Sequence, residues 1–336
     1  MWAISNETPY KAGKTWGRDK DGVHEWIVAV KATYAIQADG RLELAAEQPE
    51  PLLVPEYNGE PGQSSLKYDA DLVSAKPTTD VVLNGTAYAP GGRQSTDFLV
   101  RMSVGPVSKT LRVKGNRWWD EGLFGSSRTA VEPVTQVPIV YERAYGGYDN
   151  TDPDVRNHRM DPRNPVGCGV VAKSAHRKGQ AVPNFEYPQG DVEKAGPAGF
   201  GALDSWWSPR REFAGTYDAA WQQHRLPLLP EDWDRRSLLC APADQRPANH
   251  LRGGEVVELV NLTADGVLCF ALPKVHLTFT TRIDGRVEEH RARLASVILE
   301  PDYPRVIMVW STSLSCRNDG DYLEETVIRQ KRWLSS

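Results

Sequence analysis

Glu25-Trp26-Ile27-Val28-Ala29-Val30-Lys31-Ala32-Thr33-Tyr34-Ala35-Ile36 is dense in β-branched and aromatic residues, the composition of a strand. Ala38-Asp39-Gly40 then supplies a turn, and Arg41-Leu42-Glu43-Leu44 alternates polar with apolar, so the two runs read as a hairpin. Asp80 to Tyr88 reads as a further strand, broken by Pro90-Gly91-Gly92. Asp97 to Val104 and Ser108 to Val113 flank Gly105-Pro106 as a second hairpin. The far end repeats the signal. Glu255 to Leu262 leads through Ala264-Asp265-Gly266 into Val267 to Leu272. Val275 to Thr280 turns at Asp284-Gly285 into Arg286 to Glu288, and Leu294 to Leu299 precedes Arg305 to Trp310.

Between these ends the character changes. From about Glu121 to Arg252 the chain is rich in Pro, Gly, Asn and Asp with interspersed aromatics. One helix stands out, Ala219 to Arg225, capped by Asp218 or Thr216 and stopped by Pro227. A weaker helical signal lies at Asp204 to Trp207. The expected fold is mainly β: antiparallel, sandwich-like lobes with an extended ordered loop layer and one or two short helices. The segments are an amino-terminal β lobe at 1–120, an irregular connecting layer at 121–252 and a carboxy-terminal β lobe at 253–336, integrated as one domain over 1–300.

Composition narrows the function. With 336 residues, 40 Lys plus Arg and 44 Asp plus Glu, the formal net charge is 40 − 44 = −4. That balance argues against a dedicated binder of nucleic acid or of a membrane surface. Gly and Pro total 28 + 24 = 52 of 336 residues, below the roughly 25–30 % that marks disorder. The longest strongly apolar run, Val306 to Trp310, is too short to span a membrane. The first residues lack the basic and apolar regions of a secretory signal. Cys168, Cys240, Cys269 and Cys316 form no Cys-x-x-Cys pair. These features lead to the expectation of a cytoplasmic protein with reduced thiols.

Sites of chemistry are sparse in the sequence. His24, His158, His176, His224, His250, His276 and His290 form no metal-binding frame, and His276 reads as a structural residue of a strand. Tyr148-Asp149-Asn150-Thr151-Asp152-Pro153-Asp154 gathers three acids, but it lacks the Gly and distal Glu of a calcium loop and reads as an Asx-type turn. No Gly-x-Ser-x-Gly elbow or phosphate-cradling loop occurs. Asp232 with Asp234, and Glu288 with Glu289, are the pairs on which a carbohydrate-active hydrolase, the alternative reading, would depend. Arg210-Arg211, Arg235-Arg236 and Arg329-Gln330-Lys331-Arg332 are small basic clusters. Trp118-Trp119 and Trp206-Trp207 would point one ring inward and one outward where the backbone is extended, but burial of both rings against an irregular loop is the expectation for each pair.

The middle segment also carries recognisable text. It includes Tyr141-Glu142-Arg143-Ala144-Tyr145-Gly146-Gly147-Tyr148-Asp149, Asn164-Pro165-Val166-Gly167-Cys168-Gly169 and Ala214-Gly215-Thr216-Tyr217-Asp218-Ala219-Ala220-Trp221. Leu251-Arg252-Gly253-Gly254-Glu255 closes the series, and Ser65 to Leu72 and Gly85 to Pro90 agree with it. Together these resemble the type VI secretion-associated domain of unknown function 2169 family over roughly residues 1 to 300. The resemblance implies an effector adaptor or chaperone, not an enzyme. Such a protein binds a toxin effector and assists its loading onto the VgrG spike with its PAAR-repeat tip. It implies no cofactor, no metal and no catalytic residue, and its partners are proteins, without nucleic acid or membrane. Tyr145, Asp149, Arg210, Tyr217 and Trp221 are the candidate partner-binding residues, because loops held on a rigid scaffold are where binding concentrates. In the same loops, Gly146-Gly147 is expected to take positive φ, and Asp149 and Asn164 to fasten turns.

Overall fold

The computed structural model describes residues 2–122, 125–171, 178–316 and 321–331. His24–Ile36 is the long strand that the sequence announces, and it lies inside a six-stranded sheet. The order is Lys11–Arg18, His24–Ile36, Arg305–Cys316, Arg293–Glu300 and Asp80–Leu83, with Leu42–Leu44 paired to the end of His24–Ile36. All pairings are antiparallel except Asp80–Leu83, which runs parallel to Arg293–Glu300. Nearly every side chain of His24–Ile36 is buried, which follows if both faces of the sheet are covered. Trp26, Val28, Val30, Ala32, Tyr34 and Ile36 join the main core. The alternate residues include Glu25 and Lys31, which meet Ser74 and Asp71 on the other side.

A five-stranded sheet supplies the opposing wall of that core. Its order is Phe185–Glu186, Val107–Lys114, Asp97–Val104, Val256–Val260, Val267–Ala271. Val100, Met102, Leu111, Val257 and Leu259 are its inward positions. A four-stranded sheet, ordered Ala3–Asn6, Leu323–Gln330, Leu277–Ile283, Arg286–Arg291, adds Phe279, Leu323 and Ile328. Every one of these large sheets therefore mixes strands from distant parts of the chain. The compositional boundaries at 120 and 252 do not separate them, and one core cluster spans all three. The protein is mainly β, with α-helices among the described residues only at Val192–Ala195 and Ala219–His224.

A buried chain of hydrogen bonds joins the four-stranded sheet to the central one. The Trp26 indole N–H donates to Thr326 Oγ1 at 2.8 Å, and Thr326 meets Thr281 at 2.8 Å. Thr281 contacts His290 Nε2 at 2.7 Å, and His290 Nδ1 lies 2.9 Å from Thr312 of the central sheet. Replacing Thr326 by Val keeps the shape but leaves the Trp26 N–H without an acceptor. The expected loss is about 1–2 kcal/mol, read from the midpoint of urea unfolding.

The middle of the chain forms an ordered layer on the far face of the central sheet. Leu66, Ala202, Cys240 and Ala241 pack there against Val82, Ile298 and Ile307. Tyr141, Ala144, Leu203 and Trp207 form a further nucleus, with Trp207 edge-on to Tyr141 at 5.5 Å. Buried ion pairs pin the layer: Lys31–Asp71 and Lys76–Asp80 at 2.8 Å, and Arg210–Asp69 at 2.7 Å. Gly146 (φ +147°) and Gly147 (φ +107°) take the positive φ expected of them. A Cβ on Gly146 would stand 2.2 Å from Asn164 O. Gly146→Ala is therefore expected to cost more than about 1 kcal/mol, visible as a lowered thermal midpoint.

Several local expectations need correction. Asp80 to Tyr88 is not one strand. Asp80–Leu83 ends at Asn84-Gly85, and Thr86–Tyr88 pairs instead with Gln136–Pro138. Gly85 packs on Pro301, and Asn84 Nδ2 donates to Lys67 O, so the chain leaves the sheet there. The segment from Asp204 to Trp207 is a turn, and the helical hydrogen bonding follows it as a 3-10 helix at Arg210–Ala214. His276 is exposed and stands before the Leu277–Ile283 strand. Trp206 is partly exposed and Trp207 fully buried, whereas Trp118 and Trp119 are both half-buried. His176 and Arg332 lie outside the described residues.

Candidate functional site

The five residues singled out from the sequence fall in different environments. Arg210 is buried: its guanidinium bonds Asp69 and the carbonyls of Leu203 and Ser237, all at 2.7–2.8 Å. Burial opposes its charge, but the Asp69 carboxylate outweighs that and raises its pKa. Asp149 is buried and accepts from the Thr151 N–H and hydroxyl, the Asx-type turn expected of it. Tyr145 is half-buried beside Cys168 on a short parallel pair, and burial raises its phenol pKa. Tyr217 is exposed and meets the half-buried Trp221 edge-to-face at 4.7 Å. Asp218 caps their helix through the Trp221 N–H at 2.8 Å. Tyr217 and Trp221 thus form one aromatic corner, while Arg210 and Asp149 hold the loop layer together from inside.

The acidic pairs are engaged in local structure. Asp232 accepts from the Thr216 N–H and hydroxyl, and Asp234 from the Arg236 N–H and guanidinium. These bonds hold both carboxyls below the ordinary range, so neither is kept protonated as a general acid. Glu288 and Glu289 are neighbours on the exposed Arg286–Arg291 edge strand, pointing to opposite faces. Among the described residues no three His, Cys, Asp or Glu side chains converge as a metal site. All four thiols are free. No helix of the described residues is long and apolar enough to cross a membrane.

A different feature concentrates charge. Where the ends of the central and four-stranded sheets meet the loop before Val256–Val260, a cleft of about 820 Å³ opens. Its floor is apolar, made by the buried side chains of Leu251, Val275, Leu277, Leu294 and Trp310. Its walls carry Arg252, Lys274, Arg291, Arg293 and Lys331, all exposed. Among the described residues no carboxylate lines it. None of these five cations has a side-chain ion pair among the described residues, although most other arginines of the protein do. His250 also lines the cleft, 3.1 Å from Lys76 O; burial and the Arg293 charge hold its pKa below the ordinary value, which keeps it neutral.

The backbone builds this site for local reasons. Gly253 has φ +86°, and a Cβ there would lie 2.3 Å from Pro273 O. Gly254 has φ +89° and its N–H donates to Leu272 O at 2.7 Å. The two glycines let the 251–255 loop press on Pro273-Lys274, which places Arg252 and Lys274 together. Arg291 and Lys331 sit at the same end of the two strands that flank Leu277–Ile283, since Thr278 pairs with both Arg291 and Arg329. Sequence reasoning missed this cleft. Its signal was present in Leu251-Arg252-Gly253-Gly254-Glu255, in Arg291-Ala292-Arg293 and in the basic cluster that contains Lys331, but the cations are scattered over about 80 positions and no single run of charge joins them.

No curated protein and no solved structure is detectably similar to this chain. A family profile described as an uncharacterized protein conserved in bacteria, DUF2169, matches residues 21–311, from the entry into the long central strand to the strand that pairs with it. The match takes in most of the central sheet, the loop layer and every cation of the cleft except Lys331, and the chain belongs to the DUF2169 family.

Proposed function

We propose that this protein is an effector adaptor of type VI secretion. In this reading it is a non-enzymatic, cytoplasmic binding protein. It holds a toxin effector and assists its loading onto the VgrG spike and PAAR-repeat tip. The resemblance of its loop motifs to proteins of that role supports the reading. The observation that carries it is the open cleft, in which five cations without an ion pair among the described residues surround an apolar floor on a rigid β scaffold. Like charges held together without counter-ions destabilise the free protein, and a complementary partner relieves that repulsion. The exposed Tyr217–Trp221 corner and the partly exposed Trp206 add aromatic surface of the kind enriched at protein interfaces.

The test is recovery of the tagged chain from secreting cells, with its partners identified by mass spectrometry. The expected result is a stable complex with a toxin effector encoded nearby, together with loss of that effector's export when the chain is deleted. A chain that always purifies alone, with export unchanged by its deletion, would sink the reading.

A further inference from the structure

The geometry points to the cationic cleft as the docking site for an acidic, extended peptide segment of a protein partner, carrying Asp or Glu side chains. The inference rests on the adaptor reading only for the statement that the partner is a protein. The chemistry of the segment comes from the cleft itself. Arg252 and Lys274 stand on one loop pair, and Arg291, Arg293 and Lys331 stand at the ends of neighbouring strands. None has a side-chain ion pair among the described residues, the Glu255 carboxylate being held by the Arg252 backbone N–H at 2.8 Å, in a protein whose acids outnumber its bases by 44 to 40. Local charge is therefore opposite to net charge, the pattern that directs an anionic group to one place on the surface.

The shape favours a peptide over a nucleic acid. Single-stranded nucleic acid is held by a basic groove together with exposed aromatic faces on which bases stack. The aromatic in this floor, Trp310, is only 4 % exposed and packs against Tyr10, with ring centroids 6.1 Å apart, so it offers no stacking face. Away from the cleft, a long polyanion would meet a protein of net charge −4. An acidic peptide needs only the cleft. Its carboxylates can take bidentate bonds from the exposed guanidinium groups of Arg252, Arg291 and Arg293. Lys274 and Lys331 are compact point charges, suited to steering the segment as it arrives.

The experiment titrates the purified chain with a fluorescein-labelled peptide of alternating Glu and Asp. A peptide with Lys in place of the acids, a short single-stranded DNA and inorganic phosphate serve as comparisons. The expected result is saturable binding of the acidic peptide that weakens as salt rises from about 50 to 500 mM. The triple variant Arg291→Ser, Arg293→Ser, Lys331→Ser should bind it roughly tenfold or more weakly. Its thermal midpoint should stay equal or rise, because exposed like charges are removed. Lys274→Glu, at a position outside that triple, should give a loss in the same direction. No binding of the acidic peptide would overturn the inference, as would equal binding by the triple variant. Tighter binding of the DNA at the same salt, or displacement of the peptide by millimolar phosphate, would also overturn it. The effector pull-down repeated with the triple variant separates the two readings. Effector retained while the peptide fails to bind removes the cleft inference and leaves the adaptor. Peptide bound by a chain that captures no effector does the reverse.

Discussion

Asp80→Asn is expected to destabilise the protein by about 3–5 kcal/mol, a large part of the total stability of an ordinary domain. Asp80 is completely buried at the start of the central sheet's parallel strand. Its carboxylate receives the Lys76 ammonium at 2.8 Å and the backbone N–H groups of Ala241 at 2.9 Å and Cys240 at 3.1 Å. Burial alone would push its pKa up, but the Lys76 charge and these donors overcome that and hold it below the ordinary carboxylate value. Removing the negative charge strands Lys76, itself 5 % exposed, with only Ser296 Oγ at 3.1 Å for support. Urea unfolding of the single variant measures the loss. Lys76→Met combined with Asp80→Leu is expected to cost less than Asp80→Asn, because no unpaired charge stays buried. A double variant as damaged as the single one would show that the backbone N–H bonds to Asp80, and not the ion pair, dominate.

Acidification should destabilise the protein between about pH 6.5 and 4 through His290. Burial pulls the imidazole down to about 4, and both ring nitrogens are engaged, by Thr281 and by Thr312. The folded state holds the neutral ring and the unfolded state binds a proton near pH 6.5. The stabilising preference for neutral His is therefore fully present above pH 6.5. It is lost progressively as the pH falls toward 4. The full loss is about 3 kcal/mol, since each tenfold difference in proton affinity between the folded and unfolded states is worth about 1.4 kcal/mol. His290→Asn is the comparison that isolates it: the variant should be less stable at pH 8 and should show a flatter decline from pH 6.5 to 4. Identical slopes for the two proteins over that window would overturn the assignment.

Much of the strand content was legible because its signals are local. The Asp39-Gly40, Asp265-Gly266 and Asp284-Gly285 turns each join strands that pair as hairpins. Asp218 at the start of a short helix was equally legible, since a capping carboxylate needs only the next three residues. Asp80 to Tyr88 misled because its composition is that of a strand throughout. What breaks it is the contact of Gly85 with Pro301, more than 200 positions away. The candidate site was less legible still. Asp149 reads from its loop motif, and Arg210 from its basic pair with Arg211, as a contact residue, and the structure places both inside, as fasteners of the loops that carry them. The cleft cations gave only fragments of a signal, because a basic surface assembled from separate segments leaves no more than one or two charges in each.

Sequence alone determined that this is a mainly β protein of the DUF2169 family, with an aromatic, glycine- and proline-rich layer between two strand-rich ends. Alternation, turn chemistry and motif order are properties of neighbouring residues, so they survive without a fold. Tertiary structure decided that the two ends share their sheets, that the middle layer is pinned by buried ion pairs, and that Arg252, Lys274, Arg291, Arg293 and Lys331 face one cleft. Strand pairing across hundreds of residues and the meeting of charges in space depend on which apolar faces close on one another, and only the packed core settles that.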